Sequence, residues 1–177
     1  MSKPRIATTW LEGCSGCHMS FLDMDERLID LTDSIEYVFG PYIDIKEFPE
    51  NVDITLVEGA AATVGDLRTL HEIREKSGKV IAFGDCAVTG NVPAMRNQFK
   101  VEEVFDRAYH ETATENPLNP SEEVPRLLAT ARPIHEIIPV DLHIPGCPPS
   151  ADTIFYALTE LLAGRIPDIN EKTRFGK

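Results

Sequence analysis

The pattern of apolar and polar positions along this chain predicts strands that alternate with helices. Five short runs rich in apolar and β-branched residues have the length and composition of buried β-strands. They are residues 6–10, 35–39, 53–57, 80–83 and 141–144. Because alternating strands and helices are typical of a parallel sheet, we predict an α/β fold. The sheet is expected to be flavodoxin-like and doubly wound, with five parallel strands in the order 2-1-3-4-5.

Apolar residues spaced three and four positions apart predict the helices between these strands. One helix follows the first strand, and a second lies between strands three and four and ends near Gly78. A third helix begins after Ser150, which is a favourable N-terminal cap. The predicted buried positions are Met24, Leu28 and Leu31 in the first helix, Val64, Leu67, Leu70 and Ile73 in the second, and Ile154, Leu158, Leu161 and Leu162 in the third.

Residues 87–139 depart from this regular alternation. A short helix is predicted around Val101, Val104, Phe105 and Ala108, and a stretch rich in proline and glutamate follows it. The segment has too few apolar residues to form a core of its own. We therefore interpret it as an irregular surface excursion from one domain that spans residues 1–177.

The formal net charge of −12 argues against some classes of binding partner. An acidic surface repels phosphate groups, which argues against nucleic acid or an anionic membrane surface as a partner. The N-terminus shows no apolar signal core and no twin-arginine leader, and no apolar stretch is long enough to span a membrane. We expect a cytoplasmic protein, in which thiols stay reduced and disulfides are unfavourable.

The four cysteines lie in short loops that directly follow predicted strands. Cys14 and Cys17 form a C-x2-C pair after strand one, while Cys86 follows strand four and Cys147 follows strand five. Ligands of open α/β sheets bind beyond the carboxyl ends of the strands, so the three loops are expected to converge at that edge. Four thiolates there predict a metal centre, either a zinc ion or a 4Fe–4S cluster.

The residues around the cysteines favour the cluster over zinc. One cysteine pair and two single cysteines differ from the two paired motifs that structural zinc sites more often use. Gly13, Gly16 and Gly146 would let backbone amides point at sulfur, and a proline directly after the last cysteine recurs in iron–sulfur proteins. A structural zinc protein that acts as an assembly module stays open as an alternative.

Two other chemistries explain less of the sequence. A redox dithiol would use Cys14 and Cys17 but would leave the remaining two cysteines without a role. A flavin mononucleotide needs a phosphate-binding loop after strand one, and these cysteines occupy that loop. A flavin near the metal centre is therefore the weaker alternative.

Four stretches together resemble the small subunit of nickel–iron hydrogenases, most closely the cytoplasmic, bidirectional, NAD-linked type. They are residues 10–23, 57–59, 84–86 and 145–149. The resemblance implies that the four cysteines hold the proximal 4Fe–4S cluster, next to a nickel–iron site on a separate large subunit. It further implies an electron-transfer role within a hydrogen:NAD(P)+ oxidoreductase. The other partners would be iron–sulfur and flavin diaphorase subunits, with no catalytic residue on this chain.

Two comparisons between related families refine this expectation. The family also resembles the cluster-bearing subunit of respiratory complex I that lies nearest the quinone, but that relative has adjacent cysteines where this chain has C-x2-C. Longer hydrogenase small subunits have a leader peptide and a C-terminal domain for two more clusters. This sequence has neither, so we expect a relay with one cluster.

Two glutamates are candidates for roles beside the cluster. Glu58 ends strand three, which the predicted order places between the loops of strands one and four. Negative charge on the cluster would raise the pKa of a carboxyl group there. Glu58 is therefore a candidate proton-accepting group or a conditional oxygen ligand. The structural alternative is that it turns away to cap the following helix or to meet a lysine. Glu12, in the first cysteine loop, is a candidate proton-path group or an exposed loop residue.

Overall fold

The computed structural model describes residues 3–170 and 172–173. Its strands are β1 (Arg5–Trp10), β2 (Glu36–Phe39), β3 (Val52–Glu58), β4 (Ala61–Thr63), β5 (Ser77–Phe83), β6 (Leu127–Arg132) and β7 (Leu142–Ile144). Five of them form a parallel sheet in the order β2-β1-β3-β5-β7. Counted along the main sheet alone, this is the predicted order 2-1-3-4-5, which is confirmed.

Helices connect the strands on both faces of the sheet. They are α1 (Gly16–Leu22), α2 (Glu26–Ser34), α3 (Val64–Lys76), α4 (Asp85–Thr89), α5 (Asn91–Ala94), α6 (Val101–Phe105) and α7 (Ala151–Leu162). Short 3-10 helices cover Met95–Gln98 and Ile134–Glu136, and a π-helical segment covers Asp106–Glu111. Within residues 3–170 and 172–173, none of these helices combines the length and apolar character needed to cross a membrane.

The core consists of two layers because successive strand residues point to opposite faces of the sheet. On β3, Leu56 packs with residues of α1, α2 and α7, whereas the next residue, Val57, packs with residues of α3 and α4. On β5, Ile81 and Ala82 divide between the layers in the same way. Both faces of the sheet are therefore buried, as in a doubly wound fold.

Two predicted helix boundaries are wrong. The helix after strand one is divided into α1 and α2, because the chain turns at residues 23–25 and Asp25 adopts a left-handed φ of 51°. The next helix, α3, ends at Lys76, and Gly78 already belongs to β5 instead of ending the helix. At Gly78 a Cβ atom would lie 3.0 Å from the Asp53 carbonyl oxygen, so the residue serves the close approach of β5 to β3.

The excursion at residues 87–139 contains more regular structure than predicted. The expected short helix is α6. In addition, β6 pairs in an antiparallel manner with β4. The apolar pattern missed this pair because β4 has three residues and β6 is mostly not buried. The Arg96 guanidinium donates hydrogen bonds to the carbonyls of Ala62, Leu128 and Ala129 at 3.2, 2.9 and 3.3 Å. Because Ala62 lies on β4 and the other two on β6, these contacts hold the excursion against the main body.

Replacing Leu56 with alanine is expected to destabilise the fold substantially. Leu56 is fully buried in the middle strand of the sheet, and a cavity at such a site costs about 2–5 kcal/mol in the free energy of unfolding. Pulse proteolysis across a urea series measures this loss. Leu118→Ala is the matched control because Leu118 is 74% exposed. Equal urea midpoints for the two variants would contradict the assignment of Leu56 to the core.

Candidate metal centre

Three loops meet at the carboxyl edge of the sheet. The amide of Gly84, after β5, donates to the carbonyl of Ile144 on β7 at 2.8 Å. The amide of Asp85 then donates to the Gly146 carbonyl, also at 2.8 Å. The loop after β1 reaches the same place, since a Cβ atom on Gly84 would lie only 2.1 Å from Cys17 Sγ. The predicted convergence of the cysteine loops is thus seen in the geometry.

The four cysteines divide into a buried pair and an exposed pair. Cys17 and Cys86 are the second residues of α1 and α4, and they are 7% and 9% exposed. Cys14 and Cys147 precede helices α1 and α7 and are exposed. The site therefore has a deep side within the fold and an outer side at the protein surface.

The thiols are close enough for each to oppose the ionisation of its neighbours. Burial raises the pKa of Cys17, and the charges of Glu58, Cys86 and Cys14 raise it further. Burial also raises the pKa of Cys86, a hydrogen bond from the Val92 amide partly offsets this, and Cys14 and Cys147 add to the rise. A bound cationic centre would remove this repulsion, because metal coordination deprotonates thiols.

The identity of these donors suits a metal centre. A 4Fe–4S cluster takes one thiolate on each of its iron atoms, and the loops bring four cysteines to one edge of the sheet. A zinc ion can also take four thiolates, which it holds at about 2.3 Å. The donor set therefore fits a 4Fe–4S cluster, and it also satisfies zinc.

One donor to sulfur was not predicted from the sequence. The Asn91 side-chain nitrogen lies 3.4 Å from Cys147 Sγ, and the nearby Val92 amide lowers the pKa of Cys86. Asn91 and Val92 are the first two residues of α5, directly after Gly90. The Gly90-Asn91 pair soon after Cys86 is a turn signal that could have drawn attention to this segment.

The three glycines predicted beside the sulfur atoms have different surroundings. The Gly146 amide donates to the Asp85 carboxylate at 2.7 Å, so this amide is directed at a side chain of the neighbouring loop. A Cβ atom on Gly16 would lie 3.2 Å from Cys14 Sγ, which places this glycine against a thiol. Gly13 lies against the backbone of Gly59, with 3.4 Å from a built Cβ atom to Gly59 Cα. Gly84 leaves less room for a Cβ atom than Gly13 or Gly16, but it was not predicted from the sequence as a site residue.

Glu58 is buried beneath the first cysteine loop and accepts three hydrogen bonds. Its Oε1 accepts from the Cys17 amide at 3.2 Å, and its Oε2 accepts from the His18 amide at 3.0 Å. The same Oε2 contacts Nδ1 of the His18 imidazole. The carboxylate thus caps the first turn of α1 and not the helix that follows β3, which was the structural alternative considered for this residue.

Hydrogen-bond donors around Glu58 lower its pKa. Burial alone would raise this pKa, but the His18 imidazole and the amides of Cys17 and His18 together lower it. The rise that the charge of a bound cluster would cause stays a prediction. A role of Glu58 as a conditional ligand would require the carboxylate to release some of these bonds.

Glu12 lies on the exposed side of the site. Its backbone forms an isolated bridge with Ala60, with hydrogen bonds of 3.2 and 2.8 Å. Partial burial and the charge of Asp66 raise the pKa of Glu12, while the Arg96 guanidinium opposes the rise. The side chain borders a cavity of about 510 Å³ that is also lined by Tyr109. Its role as a proton-path group stays a prediction.

Apolar side chains are exposed on two sides of the cysteines. Trp10 and Met19, at the end of β1 and on α1, are 50% and 66% exposed. Val92 and Met95, close to Asn91 in the chain, are 60% and 66% exposed. Exposed apolar surface beside a functional site is typical of a protein–protein interface. The loop edge of the sheet is therefore a candidate surface for contact with a partner protein.

The sequence matches a known family over most of its length. The model described as "NADH ubiquinone oxidoreductase, 20 Kd subunit" matches residues 14–161. A subunit of the F420-non-reducing hydrogenase vhu of Methanocaldococcus jannaschii is 43% identical over 170 residues, which cover 95% of this chain and 59% of that relative. The NAD-reducing hydrogenase HoxS subunit delta of Cupriavidus necator is 40% identical over 174 residues, with 94% and 82% covered. The chain thus spans less than two thirds of the first relative.

Solved structures show the same fold. A chain of an NAD+-reducing [NiFe]-hydrogenase in the H2-reduced state superposes with a TM-score of 0.93 at 39% identity, and 98% of this chain and 99% of that chain are covered. A chain of the Ni-Fe-Se hydrogenase from Desulfomicrobium baculatum superposes with a TM-score of 0.59 at 20% identity, with 97% and 68% covered. The second match supports the fold alone.

Replacing Gly84 with alanine is expected to prevent assembly of the metal centre. The new Cβ atom would fall 2.1 Å from Cys17 Sγ, and the backbone φ of +84° is strained for alanine. Iron analysis of the purified protein should show a loss of the iron bound by this chain. Gly164→Ala is the matched control, since φ there is +74° and nothing lies within 4 Å of a new Cβ atom. A full iron content in Gly84→Ala would contradict the arrangement.

Replacing Glu58 with glutamine is expected to loosen the start of α1. One glutamine oxygen cannot accept from both amides and from His18, so at least one buried donor loses its partner at a cost of about 1–3 kcal/mol. Hydrogen exchange at the Cys17 and His18 amides should accelerate by roughly tenfold or more. Glu72→Gln, in an exposed helix pair with Lys76, is the control. Unchanged exchange in Glu58→Gln would rule out the capping role.

Proposed function

Since the chain belongs to the family of the NADH ubiquinone oxidoreductase 20 Kd subunit, we propose that it is the electron-transfer small subunit of a nickel–iron hydrogenase. It carries one 4Fe–4S cluster, held by Cys14, Cys17, Cys86 and Cys147. The observation that supports this most strongly is the convergence of these thiols at one edge of the sheet, with two buried and two at the surface. A cluster held by these thiols would have one side within the fold and one side at the protein surface, where a partner could exchange electrons with it.

When bound, the cluster supplies a site that accepts and releases one electron at a time. The chain's own residues hold and surround it. The Asn91 side chain lies within hydrogen-bonding distance of Cys147 Sγ. The buried side of the site, around Cys17 and Phe83, excludes water. Exposed Trp10 and Met19 would pack on the partner that carries the nickel–iron site. No residue of this chain has to take part in activating hydrogen.

The proposed partners follow from the same arrangement. The large subunit receives or supplies electrons on one side of the cluster, and iron–sulfur and flavin diaphorase subunits connect it to NAD(P) on the other. The relative from Cupriavidus necator is a subunit of an NAD-reducing hydrogenase, which supports this choice. A cytoplasmic location is proposed because the site needs reduced thiols.

A quinone-proximal subunit of a complex I-like enzyme is the second candidate, and the description of the family favours it. The relatives at 40% and 43% identity, however, are hydrogenase subunits. The C-x2-C spacing of Cys14 and Cys17 is also the hydrogenase form of the motif, by the resemblance already described. Hydrogen-dependent reduction of NAD(P) by the purified complex distinguishes the two, because the second candidate requires reduction of a quinone instead.

Replacing Cys86 with serine is expected to remove the cluster. The parent complex should contain about four iron and about four acid-labile sulfide more per chain than the variant, the composition of one 4Fe–4S cluster. Electron flow from hydrogen to NAD(P) should be lost together with them. Thr89→Ser, at the exposed end of the same helix, is the control. A difference of one zinc per chain instead would support the zinc assembly module, and an intact cluster in Cys86→Ser would remove Cys86 from the ligand set.

A further inference from the structure

The first residue of α5 holds a hydrogen-bond donor against one of the cysteines. Asn91 Nδ2 lies 3.4 Å from Cys147 Sγ. Asn91 belongs to the segment that follows β5 and Cys86, whereas Cys147 follows β7, so this contact joins loops from two strands. It depends on a side chain and can be removed by substitution.

The backbone of the turn between α4 and α5 is shaped to present the Asn91 side chain. Gly90 has a φ of 84° and its amide closes α4 on the Cys86 carbonyl at 3.0 Å. Asn91 itself has a φ of 29°, a region that residues other than glycine adopt at some cost. The Ala94 amide then bonds to the Gly90 carbonyl at 3.1 Å and begins α5. Glycine would meet the backbone requirement at residue 91, but it would bring no donor to sulfur.

The chemistry of the contact determines the orientation of the amide. A thiolate that binds iron has lone pairs and no proton, so it can only accept a hydrogen bond. The Asn91 carboxamide must therefore direct its N–H group at Cys147 Sγ. Cys147 is exposed, so the side chain also covers a sulfur atom on the outer side of the site.

We propose that Asn91 is a positioning residue that sets the reduction potential of the cluster by donating an N–H···S bond to Cys147. This inference rests on the proposed function. The reduced cluster carries one more negative charge than the oxidised cluster, and that charge is shared with the thiolates. A donor at sulfur stabilises the reduced state more strongly, which raises the reduction potential. The residue thereby adjusts how readily this site takes an electron from one partner and passes it to the next.

The test is a redox titration of the purified complex that contains Asn91→Gly. Glycine keeps the left-handed backbone and removes the donor, so the cluster is expected to assemble with a midpoint potential below that of the parent. Asn116→Gly is the matched control, because Asn116 is exposed and also has a left-handed φ, of 48°. That variant should titrate like the parent. A potential in Asn91→Gly equal to that of the parent would overturn the proposal.

A second measurement covers the case in which Asn91→Gly fails to retain its cluster. In the parent complex labelled with ¹⁵N-asparagine, the reduced cluster should show a hyperfine coupling to nitrogen, transmitted through the hydrogen bond. Absence of this coupling would also overturn the proposal. The two proposals fail in different ways: a complex in which this chain binds no iron–sulfur cluster contradicts the proposed function, whereas a cluster with neither the shift nor the coupling contradicts only the role of Asn91.

Discussion

The buried carboxylate of Glu58 joins the central strand of the sheet to the helix that presents the first cysteine pair. It accepts hydrogen bonds from the amides of Cys17 and His18 and contacts the His18 imidazole. Burying a carboxylate is unfavourable unless its oxygens are bonded, and here three donors offset that cost. Its negative charge also suits the amino end of a helix. The position of Cys17 relative to the sheet depends on this contact.

The same carboxylate increases the electrostatic repulsion at the metal centre. It adds negative charge beside thiols that already raise one another's pKa. The protein keeps these groups together because Gly84 leaves room for Cys17 Sγ and because the loops of β5 and β7 are hydrogen-bonded to each other. Asn91 supplies a donor to Cys147, which follows β7, whereas Glu58 orders the helix of Cys17. A cationic cluster core bound here would balance the negative charge.

The sequence predicted the strand order and the meeting of the cysteines, because both follow from the alternation of strands and helices and from the position of each loop. It did not predict the short pair β4 and β6, whose three-residue and six-residue runs carry little periodicity. It also did not predict the partner of the Gly146 amide, because Asp85 lies 61 residues away in the chain. The roles of Glu58, Gly84 and Asn91 depend on such long-range contacts, which spacing along the chain cannot specify.

The anchoring of the excursion by Arg96 has a consequence for insertions into this chain. Its guanidinium ties the segment to carbonyls of Ala62 and of β6, next to the sheet. The chain between α6 and β6 therefore leaves and returns at fixed points, and lengthening such a connection costs little conformational entropy. Insertions or deletions in that stretch can alter the outer surface while the geometry of the cysteine loops is preserved.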